Sequence, residues 1–152
     1  MIHDERGVAA LELPLAIGLL LIPTAFVVLM LAPWAARANM ARLAAAEAAR
    51  VIVTAPTTDP DDAYVRAVID QIAVNHSIPA GDVSATLCVT PSMTPAQKVA
   101  ARCDALTRGM QVRVEVTVAI PLVAFPGSGQ SFGGFYWTVA HTELVDRYRS
   151  FP

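Results

Sequence analysis

A run of 24 residues without a charged side chain, Leu13 to Ala36, constrains this chain more than any other feature. As an α-helix it would be about 36 Å long, which exceeds the roughly 30 Å hydrocarbon thickness of a bilayer. Pro14, Pro23 and Pro33 interrupt the run. Membrane helices tolerate proline because neighbouring groups satisfy the freed backbone. The run therefore predicts a helix inserted in a membrane.

Composition supports a single membrane-attached domain. The chain has 152 residues, 55% of them hydrophobic, and its mean hydropathy is +0.49. Charged residues make up only 16%, whereas globular chains contain about 25%. The net charge is −2 and the sequence has no long basic tract, so we expect no nucleic-acid partner.

Two cysteines follow the apolar run, Cys88 and Cys103. They suit one disulfide in an oxidising compartment, and two buried free thiols are the alternative. We favour the disulfide, which places this part of the chain outside the cytoplasm.

The segment after the apolar run reads as an amphipathic stalk helix over residues 37–55. Alanine, its most frequent residue, is the best helix former. Small and apolar residues share one face of this helix. They are Ala41, Ala44, Ala48, Val51 and Ile52. Such a face lets a sheet pack closely against the helix.

Residues 56–152 predict a small α+β globule. A helix capped by Thr58 or Asp59, with Pro60 near its first position, should run to about Asn75. A capping box formed by Thr94 and Gln97 should begin a further short helix. Alternating residues predict three strands, so the expected fold is a long N-terminal helix that covers a three- or four-stranded antiparallel sheet. The strands are predicted at 83–90, at 112–120, where Pro121 should end pairing, and at 137–147.

The residues before the apolar run contain a recognisable signal. A short charged leader ends in Arg6-Gly7, and Glu12 is the fifth residue after that glycine. This pattern, together with the stalk RLAAAEAARV, resembles the type IV prepilins of tight-adherence (Flp) systems and, within them, the TadE-like minor pilins and pseudopilins. The resemblance is strongest over residues 5–53, and Pro14 departs from many such signals.

The resemblance implies a role for each of these residues. A prepilin peptidase would cut between Gly7 and Val8, which leaves 1–7 as leader and 8–36 as membrane helix. Glu12 would neutralise the new α-amine of a neighbouring subunit and so set the axial register. A plainer reading is that Glu12 lies at the membrane interface, where a helix N-terminus favours an acid.

The resemblance also implies partners and an orientation. The partners are other pilins, the prepilin peptidase, the inner-membrane assembly platform and the lipid bilayer. Counting arginines near the apolar run would place the C-terminal side in the cytoplasm. Prepilins have the opposite orientation, and the cysteine pair agrees with them. We therefore expect a single-pass protein of the cytoplasmic membrane with an extracytoplasmic C-terminal domain.

No catalytic, cofactor or metal site is expected. His3, His76 and His141 are far apart and have no metal-ligand spacing with the cysteines or acids. Two alternatives from other classes stay open. One is an exported protein cut at the small-residue site Ala36-Arg37-Ala38, and the other is a signal-anchored exported enzyme.

Aromatic residues cluster near the C-terminal end of the chain. They are Phe125, Phe132, Phe135, Tyr136 and Trp137. Exposed, they would form a contact patch for another protein. We favour the other arrangement, in which they pack inward and close the end of a small core.

Overall fold

A computed structural model of the protein describes residues 6–89, 94, 97, 103, 105–124 and 131–148, without the side chains of residues 6–13, 124 and 131. It contains two helices, a short 3-10 helix and three strands. They are α1 (Arg6–Thr54), α2 (Asp62–Asn75), the 3-10 helix (Ala80–Asp82), β1 (Val83–Thr86), β2 (Gln111–Ala124) and β3 (Ser131–Leu144). The predicted α+β class is confirmed.

Helix α1 joins the predicted membrane helix to the predicted stalk without a break. It has 49 residues and contains Pro14, Pro23 and Pro33, so it is about 74 Å long. Its C-terminal half carries a wide, fully buried stripe of small and apolar residues. The stripe consists of Met40, Ala41, Ala44, Ala45, Ala48, Ala49 and Ile52. The prediction that the stalk covers the sheet is confirmed, because this half of α1 packs on β2, β3 and α2.

The three strands form one antiparallel sheet in the order β1-β2-β3. Alternate residues of β2 point into the core. They are Val112, Val114, Val116, Val118 and Ile120, all of them buried. The opposite face is polar: Thr117 and Thr138 share a hydroxyl–hydroxyl hydrogen bond of 2.8 Å across the strands. The hydrophobic alternation in the sequence therefore fixed which face of the sheet α1 covers.

Strand β1 is shorter than predicted, ending at Thr86 instead of residue 90. Cys88 has a φ of 51°, which an extended strand does not accommodate. Val89 N–H then donates to Arg113 O, although Thr86 pairs with Glu115. Between these two contacts the chain advances three residues on the β1 side but only two on β2, as in a β-bulge. This irregularity allows Leu87, Cys88 and Val89 all to be buried, which strict alternation did not predict.

Strands β2 and β3 are longer than predicted, and Pro121 lies inside β2, paired with Gly134. The prediction that Pro121 ends the ladder was wrong. The bond from Val89 to Arg113 O shows that odd-numbered residues of β2 direct their backbone groups towards β1. Strand β1 reaches only to Val118. The missing N–H of Pro121 therefore points to a side of β2 where the described part of the chain places no strand.

Helix α2 ends as predicted, but its N-cap is Asp61 rather than Thr58 or Asp59. The Asp61 side chain accepts hydrogen bonds from Ala63 N–H and Tyr64 N–H. The backbone carbonyl of Thr58 accepts a hydrogen bond from Leu106 N–H at 2.6 Å, in the connection that follows Cys103. Segment 58–60 is therefore held as a connection, and the helix begins only after it.

The connection between β1 and β2 is described in part. Thr94 N–H donates to Gln97 Oε1 at 2.7 Å, and Gln97 N–H donates to Thr94 Oγ1 at 3.4 Å. These are the two reciprocal bonds of the predicted capping box. The rest of the predicted short helix lies largely outside the described residues.

Candidate functional site

The three residues implied by the prepilin resemblance lie at the free end of α1. Gly7, Val8 and Glu12 are all helical, and their side chains lie outside the described part of the chain. Glu12 stands 22 residues before Trp34 in the same helix, which corresponds to about 33 Å. The proposed processing and pairing residues are therefore far from the globular domain.

The part of α1 between these residues and the domain is an exposed apolar rod. Its large side chains are exposed by about half or more. They are Leu15, Ile17, Leu19, Leu20, Leu21, Ile22, Phe26, Val27, Val28, Leu29 and Leu31. Within the described side chains one helix, Pro14–Thr54, is long and apolar enough to cross a membrane, and only 6% of its most apolar window is buried. A core helix of a soluble protein would be mostly buried. The rod is compatible with single-pass membrane anchoring.

A polar collar joins the rod to the domain. We use this term for Trp34, Arg37 and Asp82. Trp34 Nε1–H donates to Pro121 O at 2.6 Å. Arg37 donates to Asp82 Oδ2 at 2.8 Å and to Ala119 O.

The two carbonyls that the collar binds belong to odd-numbered residues of β2, beyond the end of β1. Within the described residues they have no strand partner on that side. A buried carbonyl without a partner is costly. The collar therefore seals the free edge of β2 and fixes the domain against α1 at the end of the apolar rod.

The four described aromatic residues of β3 are exposed, so the predicted inward packing was wrong. The exposed fraction is 65% for Phe132, 39% for Phe135, 80% for Tyr136 and 43% for Trp137. Phe135 contacts Trp34 edge to face, at 6.0 Å between the ring centroids. Three of them, Phe132, Phe135 and Tyr136, lie on the part of β3 that is paired with β2 beyond Val118, where β1 no longer accompanies the hairpin. Phe125 lies outside the described residues.

Cys88 and Cys103 form a disulfide, as predicted. Cys88 is 8% exposed and Cys103 9%. Cys103 also borders a surface cleft together with Asp61 and other residues at the start of α2. The bond therefore ties the end of β1 to the connection that passes over the first turn of α2.

The described side chains offer no arrangement for metal binding: no three His, Cys, Asp or Glu residues converge. His141 contacts Glu143 at 3.1 Å on β3, and both side chains are about two-fifths exposed. His76 follows the end of α2 as its C-cap, and His3 lies outside the described residues.

Comparison with known proteins identifies no relative of this chain. Models of protein families, curated proteins and solved structures all give no match.

Sequence reasoning missed the collar and the reach of the hairpin. A partial indication was available: Trp34 and Arg37 follow directly on the apolar run, as anchors at a membrane interface commonly do. Nothing in the sequence indicated that Leu122 would line one cleft with Phe26 and Leu31, because that proximity depends on how far β2 extends along α1.

Proposed function

We propose that this protein is a minor pilin or pseudopilin of a tight-adherence type IV pilus or secretion system, and that it acts by assembly and not by catalysis. The proposal rests on the sequence around Gly7 and Glu12. The observation that supports it most directly is the division of α1. One continuous helix carries the signal residues at one end and a packed domain at the other.

That division suits a subunit that assembles through its helix. A helix whose apolar side chains are exposed on all sides needs lipid or other helices around it. The first part of α1 has this property. Before assembly the lipid bilayer would surround it, and afterwards the equivalent helices of neighbouring subunits would. The domain stays outside the bundle because the collar holds it at the end of the rod.

Glu12 supplies the specificity in this proposal. Apolar helix surfaces slide past one another at little cost, whereas a carboxylate inside a helix bundle requires a partner. Cleavage after Gly7 creates an α-amine at Val8 and makes Glu12 the fifth residue of the cleaved chain. Pairing of Glu12 with the α-amine of a neighbouring subunit would satisfy both charges and fix the axial register. In this scheme a prepilin peptidase and an inner-membrane assembly platform act on the chain before assembly.

The decisive measurement is the N-terminal residue of the mature protein, determined by mass spectrometry of protein isolated from membranes. We expect Val8 in cells with an active prepilin peptidase and Met1 in cells that lack the enzyme. As a control, Gly7→Leu should remain uncut, because a side chain at that position hinders approach of the protease to the backbone. A mature terminus at Asn39 would instead identify an exported protein, and Met1 in all strains an uncleaved anchor.

Replacing the carboxylate tests the pairing step separately. In Glu12→Ala we expect normal cleavage and a fall of at least about tenfold in the amount recovered in sheared pili, since an unpaired charge in a helix bundle costs several kcal/mol. The matched control is Glu47→Ala on the same helix. In the described part of the chain Glu47 forms a partly exposed salt bridge of 3.2 Å with Arg50, so its loss should leave incorporation unchanged. Full incorporation of Glu12→Ala would refute pairing and leave the processing result standing.

A further inference from the structure

The two edges of the described sheet are formed by strands that run in the same direction. The order β1-β2-β3 leaves β1 at one edge and β3 at the other. Both strands are antiparallel to β2, so they are parallel to each other. A second copy of the sheet, set beside the first without rotation, would therefore bring its β3 next to β1 in parallel orientation. Both α1 helices would then lie on the same face and point the same way.

The free edge of β1 offers one donor and one acceptor. Val83 and Ala85 oppose even-numbered residues of β2, whose backbone groups face β3, so their own backbone groups point outward. Ala85 O accepts from Arg66 Nη1 at 2.9 Å. Val83 N–H donates to Ala80 O. The described residues supply no partner for Val83 O or Ala85 N–H, and both residues line an open cleft between β1 and α2.

These two groups select the direction of an added strand. In a parallel ladder, one residue of the new strand donates its N–H to Val83 O and accepts from Ala85 N–H. An antiparallel strand would instead exchange both bonds with a single residue of β1. At Ala85 the carbonyl is already bound by Arg66, and at Val83 the N–H is already bound. The β1 edge therefore favours a parallel strand over an antiparallel one.

The edge of β3 has the properties of such a strand. Its even-numbered residues oppose the odd-numbered residues of β2, which face β1, so their backbone groups point away from the described sheet. None of the six from Gly134 to Leu144 is charged. Strand β3 also contains no lysine or proline, the residues with which edge strands commonly prevent pairing. A 14-residue edge of this kind is suited to pair with another chain.

We infer that β3 of one copy pairs in parallel with β1 of the next copy, with Thr138 between Val83 and Ala85, so that neighbouring subunits share one continuous sheet. This inference rests on the proposed function, which sets the rods of neighbouring subunits side by side and in the same direction. The occupant is a second copy because one chain carries both edges, and their directions agree when the helices are parallel. The contact is head-to-tail, so it extends along a row of subunits.

A row of hydroxyl side chains sets the register. Ser84 opposes Thr117, and Thr117 opposes Thr138, so the three cross the face of the sheet opposite α1 at one level. Thr117 and Thr138 share a hydrogen bond of 2.8 Å between their hydroxyls. Copies set side by side at this level place Thr138 of one next to Ser84 of the other, and the row continues across the boundary. The backbone of Thr138 then reaches both Val83 O and Ala85 N–H.

The contact is weak by itself, which restricts it to subunits that are already assembled. Two backbone hydrogen bonds are too few to join two free proteins, because the loss of translational and rotational freedom costs more than they contribute. Subunits whose rods are held side by side have already lost that freedom, so strand pairing becomes effectively intramolecular. We therefore expect the pairing in membranes and pili, and not between monomers in dilute detergent solution.

Crosslinking between two differently tagged forms of the full chain tests this inference. One form carries Ser84→Cys and the other Thr138→Cys, and both are made together in cells that contain the prepilin peptidase. Membranes and sheared pili are treated with a short thiol crosslinker, and Cys88 and Cys103 do not react because they form a disulfide. The matched control replaces Ser84→Cys by Thr117→Cys, which is in the same row but on the central strand.

We expect a dimer that carries both tags for positions 84 and 138. The control should give at most about a fifth of that yield, because position 117 of one copy is two strand spacings, about 10 Å, from position 138 of the next. Equal yields would overturn the inference, as would a dimer joined through position 138 in both copies. A mature terminus at Val8 without the 84–138 product would refute the edge contact and leave the proposed function standing. The product in cells where Met1 is retained would do the opposite.

A second pair of positions tests the direction of pairing. In the parallel arrangement Thr86 lies opposite Ala140 of the neighbour, whereas an antiparallel arrangement about the same row would place it opposite Tyr136. All three side chains lie on the face of the sheet opposite α1. We expect Thr86→Cys to crosslink to Ala140→Cys and not to Tyr136→Cys. The reverse preference, or the absence of both products, would show that the strands are not paired in parallel.

Discussion

Removal of the disulfide is expected to lower the free energy of unfolding by about 3 kcal/mol, because the bond closes a loop of 15 residues in the unfolded chain. The change is Cys88→Ala together with Cys103→Ala, so that neither cysteine is left free to form other bonds. Both cysteines are buried, and the loss of their packing acts in the same direction. Denaturant unfolding of the full chain in detergent micelles, followed by tryptophan fluorescence, measures the difference.

Reductant provides the control for this prediction. The wild-type protein in reductant should unfold at a lower denaturant concentration than the oxidised protein, at or slightly above that of the double variant, and reductant should leave the variant unchanged. A wild-type protein that is insensitive to complete reduction would show that the bond does not contribute to stability. The result also bears on location, since a domain that depends on a disulfide matures in an oxidising compartment.

Enlarging an alanine in the stripe of α1 is the second large effect we expect. Ala48 is fully buried in the half of α1 that packs on the sheet and on α2. Leucine adds three carbons at this fully buried position, and overpacking of a core costs about 2 kcal/mol. Ala48→Leu should therefore lower the denaturant midpoint measurably in the same fluorescence assay.

The matched control is the same substitution on the same helix at an exposed position, Ala36→Leu. Exposed substitutions of good helix formers change stability by about 0.5 kcal/mol or less. Equal midpoints for the two variants would mean that the close packing of α1 on its neighbours does not limit side-chain size. The pair therefore tests the prediction, made from the alanine-rich sequence, that small residues allow close approach.

Local patterns in the sequence predicted most elements of the fold. The 3.6-residue period gave the buried face of α1, and strict alternation gave the core face of β2. Both patterns work because each element buries one face against one partner. The cysteine pairing was also correct, and with two cysteines in the chain it had one possible connectivity.

The errors have a common origin in neighbours that the sequence does not reveal. Pro121 ends a ladder only where an adjacent strand would need its N–H, and β1 stops before that point. Asp61 caps α2 because its side chain accepts from Ala63 N–H and Tyr64 N–H, and the backbone of Thr58, three residues earlier, is instead bound by Leu106 N–H. The exposed aromatics Phe132, Phe135 and Tyr136 lie where the hairpin extends beyond β1.

The sequence by itself determined that one long apolar helix precedes an α+β domain, and that Glu12 stands at a fixed distance from Gly7 along that helix. These properties depend on covalent order and on local periodicity. Only the tertiary structure decided how the domain is attached to the helix. Trp34 and Arg37 reach carbonyls of β2 that are more than eighty residues away in the chain. These bonds exist because α1 packs along a strand edge that β1 leaves free, and no local pattern encodes that arrangement.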